Sequence, residues 1–272
     1  MTAVNTNAQY QDGSGQPILR DSIAAFIDEL GFSERVKTLD TNELRLDVER
    51  YRIVRSRNFS PPNRSHQELI ALYFSDNVGL ALPTDPGGMG GELLSVIRAA
   101  GSYQRELTIG GRFVRGGITR GDIYADDKFI TGRALIDAVE LEERVAVVPR
   151  ILLDDACIAL ASKESKDSAK AGNLSGSSLH RTYGSLLLRD GEQVICNYLA
   201  TLFSEECADF QIEIVLENHR DFINQRLAHY RNNVNILAKY QWAGRYHNYF
   251  VTQNNAKQYA INNLNGGNFA SF

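Results

Sequence analysis

The segment Phe26-Ile-Asp-Glu-Leu-Gly-Phe32 sets one aspartate, Asp28, into an apolar run that is typical of a β-strand. A second run of this kind, Leu72-Tyr-Phe-Ser-Asp-Asn-Val-Gly79, carries Asp76, which lies 48 residues further along the chain. A carboxylate at the end of an apolar strand is costly to desolvate unless a positive charge neutralises it. Two converging carboxylates would hold a pair of divalent cations, and cation pairs are a common means of binding triphosphates. The two segments therefore predict a metal-dependent site for a phosphorylated ligand.

Each aspartate also has a purely structural interpretation when it is taken alone. Residues 22–30 would fit an amphipathic helix that ends at Gly31, and Ser75-Asp76-Asn77 has the composition of a hairpin turn. A third segment, residues 115–122 with the sequence RGGITRGD, follows the first two. The three segments together favour the functional interpretation.

Composition limits the classes of function to consider. The 272 residues are enough for a full core, and the hydrophobic (43%) and charged (23%) fractions are those of a soluble globular protein. A net charge of −4 argues against nucleic acid and against an anionic membrane surface as partners. Three scattered cysteines argue against a disulfide framework and a cysteine-rich zinc site. Because we find no long apolar run and no leader-like N-terminus, we expect a cytoplasmic protein without a membrane segment.

Hydrophobic periodicity predicts the order β-α-β-β-α-β-α-β, then a hairpin at residues 185–198 and a C-terminal helical region. This order favours an α+β fold of ferredoxin-like type with a mixed or antiparallel sheet. We expect a disordered tail over residues 1–19, a catalytic domain over 20–203 and a helical extension over 204–272. Residues 162–180 are predicted to be mobile and the last residues to be loose, because both are rich in polar residues.

Two features of the C-terminal region are predicted to be structural. His219 and His229 are expected on a solvated helix face rather than in a metal site. The aromatic residues around Trp242 are expected to form a packing cluster rather than a ligand pocket.

The chemistry-bearing segments share their order and spacing with a known family. The first strand of that family reads approximately Phe-x-Asp-Ile-x-Gly-Phe, a hairpin turn carries a second aspartate, and a strand of the form Arg-x-Gly-Ile-x-x-Gly-Glu follows. The matching positions here are Phe26, Asp28, Gly31, Phe32, Asp76, Arg115, Gly117, Ile118, Gly121 and Asp122, then Gly132, Ala138, Leu141 and Glu142 on the next helix. Over residues 22–155 the chain thus resembles the class III nucleotide cyclases.

The resemblance implies a cyclase core in which Asp28 and Asp76 bridge two Mg²⁺ or Mn²⁺ ions. One ion would activate the ribose 3′-hydroxyl and the other would hold the triphosphate, giving a 3′,5′-cyclic nucleotide and pyrophosphate. The backbone carbonyl of Glu29 would be a further metal ligand, and the backbone amides at Phe32 and Ser33 would bind phosphate oxygens. Active sites in this family form between two subunits, which implies a homodimer.

Several positions depart from the purine-specific members of the family. The base-reading position is Leu72, which has no polar group, and Tyr73 beside it is either a pocket residue or a tyrosine packed on the sheet. The asparagine and arginine that stabilise the transition state are replaced by Ile136 and Glu140. Another cation must then neutralise the developing charge, and the candidates are Arg115, Arg120 and Arg133. Arg115 completes the predicted catalytic set with the two aspartates.

Loss of the purine-reading residues, with both aspartates kept, points to a subgroup. Residues 115–118 (RGGI), 149–151 (PRI), 239–242 (KYQW) and 246–248 (YHN) resemble the pyrimidine cyclases of the bacterial Pycsar anti-phage systems. Such enzymes make cyclic UMP or cyclic CMP, which activates a separate effector. We therefore expect a uridylate cyclase that uses UTP. The alternatives are a cytidylate cyclase, a purine nucleotide cyclase and a catalytically silent nucleotide-binding module.

Overall fold

The structure is a computed structural model that describes residues 9–59, 68–85, 90–170, 183–203 and 209–272. Its centre is one sheet, to which nine described strands contribute. In chain order these are β1 (Arg20–Glu29), β2 (Ile70–Phe74), β3 (Asn77–Pro83), β4 (Val114–Ala125), β5 (Ile130–Gly132), β6 (Ile151–Leu153), β7 (Leu187–Asp190), β8 (Gln193–Cys196) and β9 (Phe269–Ser271).

The strands lie in the order β2-β3-β1-β4-β6-β8-β7-β9, and β5 pairs with β4. Strand β4 pairs with β6 in parallel, whereas the other described pairs are antiparallel. The sheet is therefore mixed and carries helices, which confirms the predicted α+β class. Because β1 lies between β3 and β4, Asp28 belongs to a strand, and the helical interpretation of residues 22–30 is wrong.

Outside the sheet, residues 183–186 are helical, and seven α-helices have described bounds. They are α1 (Phe32–Val36), α2 (Thr41–Phe59), α3 (Glu92–Thr108), α4 (Arg133–Arg144), α5 (Asp155–Lys170), α6 (Asp209–His229) and α7 (Val234–Gln253). Helix α7 begins at a capping residue, Asn233, whose side chain accepts a hydrogen bond from the Ile236 N–H. Among the described helices, none has the length and apolar character that crossing a membrane requires.

Alternation along β1 divides the apolar side chains between the two faces of the sheet. Ile23, Ala25 and Ile27 join the larger buried cluster, which also contains side chains of α3, α6 and α7. Ala24 joins a smaller cluster, in which Leu72 and residues of β4 and α4 take part. The C-terminal helices therefore pack into the main core of the sheet.

Residues 9–19 are folded, with Gln9 and Tyr10 buried and residues 12–17 exposed, so the predicted disordered tail is wrong for them. Tyr10 is fully buried in the smaller cluster, and its hydroxyl lies 3.1 Å from Ser22 Oγ. Gln11 and Pro17 form a β-bridge. One buried aromatic side chain outweighs the polar composition around it, because its burial stabilises the whole segment. Residues 1–8 lie outside the described part of the chain.

Helix α5 also corrects the prediction for residues 162–170, which continue the helix to Lys170. Cys157, Ala161 and Ser165 recur every four residues and are buried, which gives the helix one packed face despite its polar composition. The rest of the predicted mobile segment, residues 171–180, lies outside the described residues.

The end of the chain is held by the sheet rather than loose. Strand β9 pairs with β7, and the Phe269 ring lies 5.8 Å from the Trp242 ring. The β7–β8 hairpin confirms the predicted one, with Gly191 at φ +64° in its turn.

Candidate active site

Asp28 lies near the end of β1, directly opposite Arg115 of β4. The Nε and Nη2 atoms of Arg115 each lie 3.4 Å from Asp28 Oδ2. The two side chains keep 21% (Arg115) and 20% (Asp28) of their surface exposed. One cation therefore faces this carboxylate at a position that a ligand can reach.

Asp76 occupies the turn between β2 and β3, where Ser75 adopts a left-handed conformation at φ +58°. The last β1–β3 pair is Ile27 with Val78, so the turn lies beside the residue that follows Ile27. This brings the Asp76 carboxyl near enough to Asp28 to act on its pKa. Burial raises the pKa of the Asp28 carboxyl, Arg115 opposes that shift, and Asp76 adds to it. The structure thus brings together the two aspartates that the sequence singles out.

Glu142 of α4 also holds Arg115, since the Glu142 Oε1 atom lies 2.5 Å from the Arg115 Nε atom. Burial raises the pKa of Glu142 to about 7, against the opposing effect of Arg115. Helix α4 approaches this closely because residue 117 is glycine: a Cβ there would lie 2.6 Å from the Ala138 carbonyl oxygen. Helix and strand together fix the Arg115 guanidinium beside Asp28.

Glu29 points to the opposite face of β1 and enters a buried ionic cluster. Its carboxylate accepts hydrogen bonds from Arg35 (3.0 Å), Arg112 (3.4 Å) and Tyr51, and Asp47 pairs with the same two arginines. We call Glu29, Arg35, Asp47, Tyr51 and Arg112 the ionic cluster. Since the side chain of Glu29 is committed to this cluster, its backbone carbonyl is the group left for the predicted metal contact.

The side chains of Leu72 and Tyr73, the predicted base contacts, lie on opposite faces of β2. Leu72 is 9% exposed and belongs to the smaller cluster. Tyr73 packs against the larger cluster, with the Arg55 guanidinium 3.9 Å from its ring centroid. Its hydroxyl is buried and has no hydrogen-bond partner among the described residues. Both side chains thus contact the core of their own chain.

The predicted phosphate-binding residues Phe32 and Ser33 begin α1, immediately after β1. Gly31 makes the turn at φ +80°, a conformation that favours glycine. Ser33 is exposed and Phe32 is half-buried, with the Arg35 guanidinium 5.1 Å from its ring centroid. The turn therefore leaves these two residues four and five positions beyond Asp28 along the chain, next to the strand end.

Two of the three candidate arginines lie elsewhere. Arg120 is opposite Ile23, five residues from Asp28 along β1, which corresponds to about 17 Å. It pairs with Asp21 at 2.7 Å. Arg133 is 76% exposed and pairs within its own helix. Arg115 is thus the one of the three that the fold places at the aspartates.

The positions of the family's asparagine and arginine are on the outer surface of α4. Ile136 is 58% exposed, and the Glu140 side chain is 50% exposed. Neither side chain serves the site of its own chain.

His219 corrects a prediction, because it is fully buried rather than on a solvated face. Its Nδ1 lies 2.8 Å from His247 Nδ1, its Nε2 lies 2.8 Å from the Tyr198 hydroxyl, and His247 Nε2 lies 2.9 Å from the Tyr259 carbonyl oxygen. The local composition of α6 gives no signal for this network, since its partners come from distant segments. The packing cluster predicted around Trp242 is confirmed, with Tyr246 stacked on it at 5.7 Å.

The side chains at this site supply only part of the oxygen ligands that divalent cations need. Within the described ranges, no group of three or more His, Cys, Asp or Glu residues is arranged to hold a metal ion. Asp28 and Asp76 supply two carboxylates, and the Glu29 carbonyl would supply a neutral oxygen. Oxygen ligands of this kind, completed by waters and substrate phosphates, are what Mg²⁺ prefers in nucleotide-handling proteins.

No protein-family model and no curated protein matches the chain, whereas solved structures match part of it. The adenylyl cyclase CyaB from P. aeruginosa matches over 53% of this chain and 82% of its own, at TM-score 0.41 and 16% identity. The catalytic core of a rhodopsin-guanylyl cyclase with converted specificity matches over 65% and 95%, at TM-score 0.42 and 12% identity. A class III adenylyl cyclase-like ATP-binding protein from Pseudomonas aeruginosa matches over 55% and 36%, at TM-score 0.41 and 15% identity. Since these similarities are partial, the function has to be inferred from the site itself.

Proposed function

We propose that the protein is a metal-dependent nucleotide cyclase that converts UTP to 3′,5′-cyclic UMP and pyrophosphate. The observation that supports this most is the approach of the Asp28 and Asp76 carboxyls at a partly exposed strand end. Two carboxylates this close repel each other when both are ionised, and shared divalent cations remove that repulsion. Among the described residues, Arg115 is the single ion-pair partner of these two aspartates, whereas the ionic cluster on the other face of β1 sets two arginines against two carboxylates.

When bound, two Mg²⁺ or Mn²⁺ ions would activate the ribose 3′-hydroxyl and withdraw charge from the triphosphate. In this proposal Asp28 and Asp76 hold both ions, and the Glu29 carbonyl contacts one of them. The amides of Phe32 and Ser33 orient phosphate oxygens at the turn after β1. Arg115 keeps the Asp28 carboxylate in place, because it is fixed by Glu142.

The preference for a pyrimidine rests on Leu72, because an apolar side chain at this position offers no hydrogen bond to a purine edge. Tyr73 lies on the other face of β2, where its ring packs against the larger cluster. The same features would suit CTP, so cytidylate cyclase is the nearest alternative. The cyclic product would activate a separate effector in the cytoplasm, in a response to phage infection.

A homodimer with shared sites completes the proposal. Ile136 and Glu140 are exposed on the outer surface of α4, away from the site of their own chain. In the proposed dimer, a second copy of the chain would contact this surface. Mixing Asp28→Ala chains with Ile136→Glu chains should then restore activity that neither variant has alone. Mixtures as inactive as their components would argue against shared sites.

The test of the reaction is incubation with each of the four NTPs and Mn²⁺, with mass spectrometry of the products. We expect cyclic UMP and equimolar pyrophosphate from UTP, and loss of both in Asp28→Asn and Asp76→Asn. The control is Asp221→Asn, which removes an exposed carboxylate of α6 whose contact is with its neighbour Arg220. Nucleotide binding without pyrophosphate release would instead identify a catalytically silent module, and a cyclic purine product would overturn the base preference.

A further inference from the structure

We propose that helix α7 contributes to the active site of its own chain by presenting Lys239 as the cation that binds the triphosphate. This inference rests on the proposed function and assigns a chemical role to the C-terminal extension. It also supplies the positive charge that Ile136 and Glu140 cannot provide.

Helix α7 is anchored at the strand ends that carry the site. The Tyr240 ring packs edge-on against Phe113 at 5.1 Å and stacks on Tyr230 at 5.6 Å. Phe113 lies two residues before Arg115, and its carbonyl oxygen accepts a 2.8 Å hydrogen bond from the Leu30 N–H, two residues after Asp28. Lys239, which precedes Tyr240 in the chain, is therefore held close to both Asp28 and Arg115.

Lys239 lies on the side of α7 that faces the protein. Trp242 and Tyr246, three and seven residues further on, share its helix face and are 6% and 0% exposed. Lys239 itself is half-buried. Its electrostatic neighbours are the site residues Arg115, Asp28 and Glu142.

The charges at the site leave Lys239 available for an anion. Arg115 is engaged by two carboxylates, those of Asp28 and Glu142. Lys239 interacts with the same groups, yet within the described residues it makes no ion pair of its own. An ammonium on a flexible stem binds phosphate as a mobile point charge, whereas a doubly paired guanidinium has little freedom to do so.

The test compares Lys239→Gln and Lys239→Arg with Lys257→Gln, a change at an exposed lysine of the same C-terminal region. Binding of Mg²⁺-tripolyphosphate is measured by calorimetry, and NTP turnover is measured by pyrophosphate release. We expect Lys239→Gln to weaken tripolyphosphate binding about tenfold or more and to lower kcat roughly 100-fold. Lys239→Arg should recover most of both, and Lys257→Gln should match the wild type. Circular dichroism checks folding, and Lys239→Met, of similar length, replaces the glutamine variant if that one unfolds.

The outcomes separate this inference from the proposed reaction. If the wild type binds tripolyphosphate and cyclises an NTP while the Lys239 variants do so equally well, Lys239 has no such role and the cyclase proposal stands. If the wild type neither binds tripolyphosphate nor turns over any NTP, both proposals fall. Loss in Lys239→Gln with recovery in Lys239→Arg supports the assignment, because a merely structural lysine would not respond to charge alone.

Discussion

Asp28 and Glu29 are adjacent on one strand, yet the fold treats their carboxylates in opposite ways. The Glu29 side chain is 3% exposed and lies between two arginines and a tyrosine. The Asp28 side chain is 20% exposed, faces one arginine at 3.4 Å and is crowded by the carboxyl of Asp76. Buried charges with complete partners serve the fold, whereas a carboxylate left short of positive charge is suited to a ligand. The contrast indicates which of the two acids is functional.

The raised pKa of Asp28 also indicates that this carboxylate serves function rather than stability. A carboxyl whose pKa is raised in the folded state takes up protons more readily there than in the unfolded chain. Its ionisation therefore lowers stability as the pH rises through the folded pKa. The protein keeps a carboxylate that makes the fold less stable at neutral pH, and a bound cation would reverse this effect.

The largest expected effect tests the functional role assigned to Asp28 and Asp76. Asp28→Asn or Asp76→Asn should lower NTP turnover by about 10³-fold or more, because each removes a shared metal ligand. Stability should be unchanged or increased, since one of two crowded carboxyls is neutralised. Pyrophosphate release and urea denaturation measure the two effects. A variant that unfolds more easily but turns over normally would reverse the roles assigned here.

The next largest effect tests the structural role assigned to Glu29. Glu29→Ala should cost about 3–5 kcal/mol of unfolding free energy, because it leaves the largely covered Arg35 and Arg112, 19% and 11% exposed, with Asp47 as their remaining counter-charge. Urea denaturation measures this, and Asp221→Ala is the control, since that carboxylate is 55% exposed. A loss no larger than that of the control would mean that the ionic cluster contributes nothing to the fold.

A smaller effect extends the comparison to two buried histidines, His219 and His247. The Tyr259 carbonyl can only accept, so with neutral rings His247 donates to it, His219 donates to His247, and Tyr198 donates to His219. Burial lowers the pKa of His219 well below its ordinary value, and burial also lowers the pKa of His247 to about 4. A proton added at His247 Nδ1 would set two N–H groups against each other.

Because the unfolded chain takes up these protons first, stability is full above the unfolded pKa near 6.5 and falls as the pH drops toward 4. The loss should be about 1.4 kcal/mol per pH unit for each histidine. Denaturation at pH 7 and pH 5, for the wild type and His219→Gln, measures it. Equal pH dependence in the two proteins would show that the pair is not held neutral.

Sequence reasoning succeeded where the relevant signal is local. The apolar runs around Asp28 and Asp76 fix two strands, and the two-residue turn at Ser75-Asp76 sets the register that brings the carboxyls together. Gly31 and Gly117 belong to the motifs singled out in the sequence, and the structure gives the physical reason for each glycine.

Sequence reasoning failed where long-range packing decides. Nothing near Tyr10 shows that its ring is buried under the sheet, and nothing near His219 shows its partner 28 residues away. Likewise, the position of Lys239 depends on the contact between Tyr240 and Phe113, which are distant in the chain. Such contacts carry no periodic pattern, so they emerge only from the folded structure.

The central claim is that Asp28 and Asp76 share divalent cations. It is tested most directly by Mn²⁺ titration in the presence of tripolyphosphate, followed by electron paramagnetic resonance, on the wild type, Asp28→Asn, Asp76→Asn and the double variant. We predict that each single change weakens Mn²⁺ binding about tenfold or more, and that the double change is no worse than the weaker single variant, since the ligands act as a unit. Mn²⁺ binding that is unchanged in both single variants would contradict the claim.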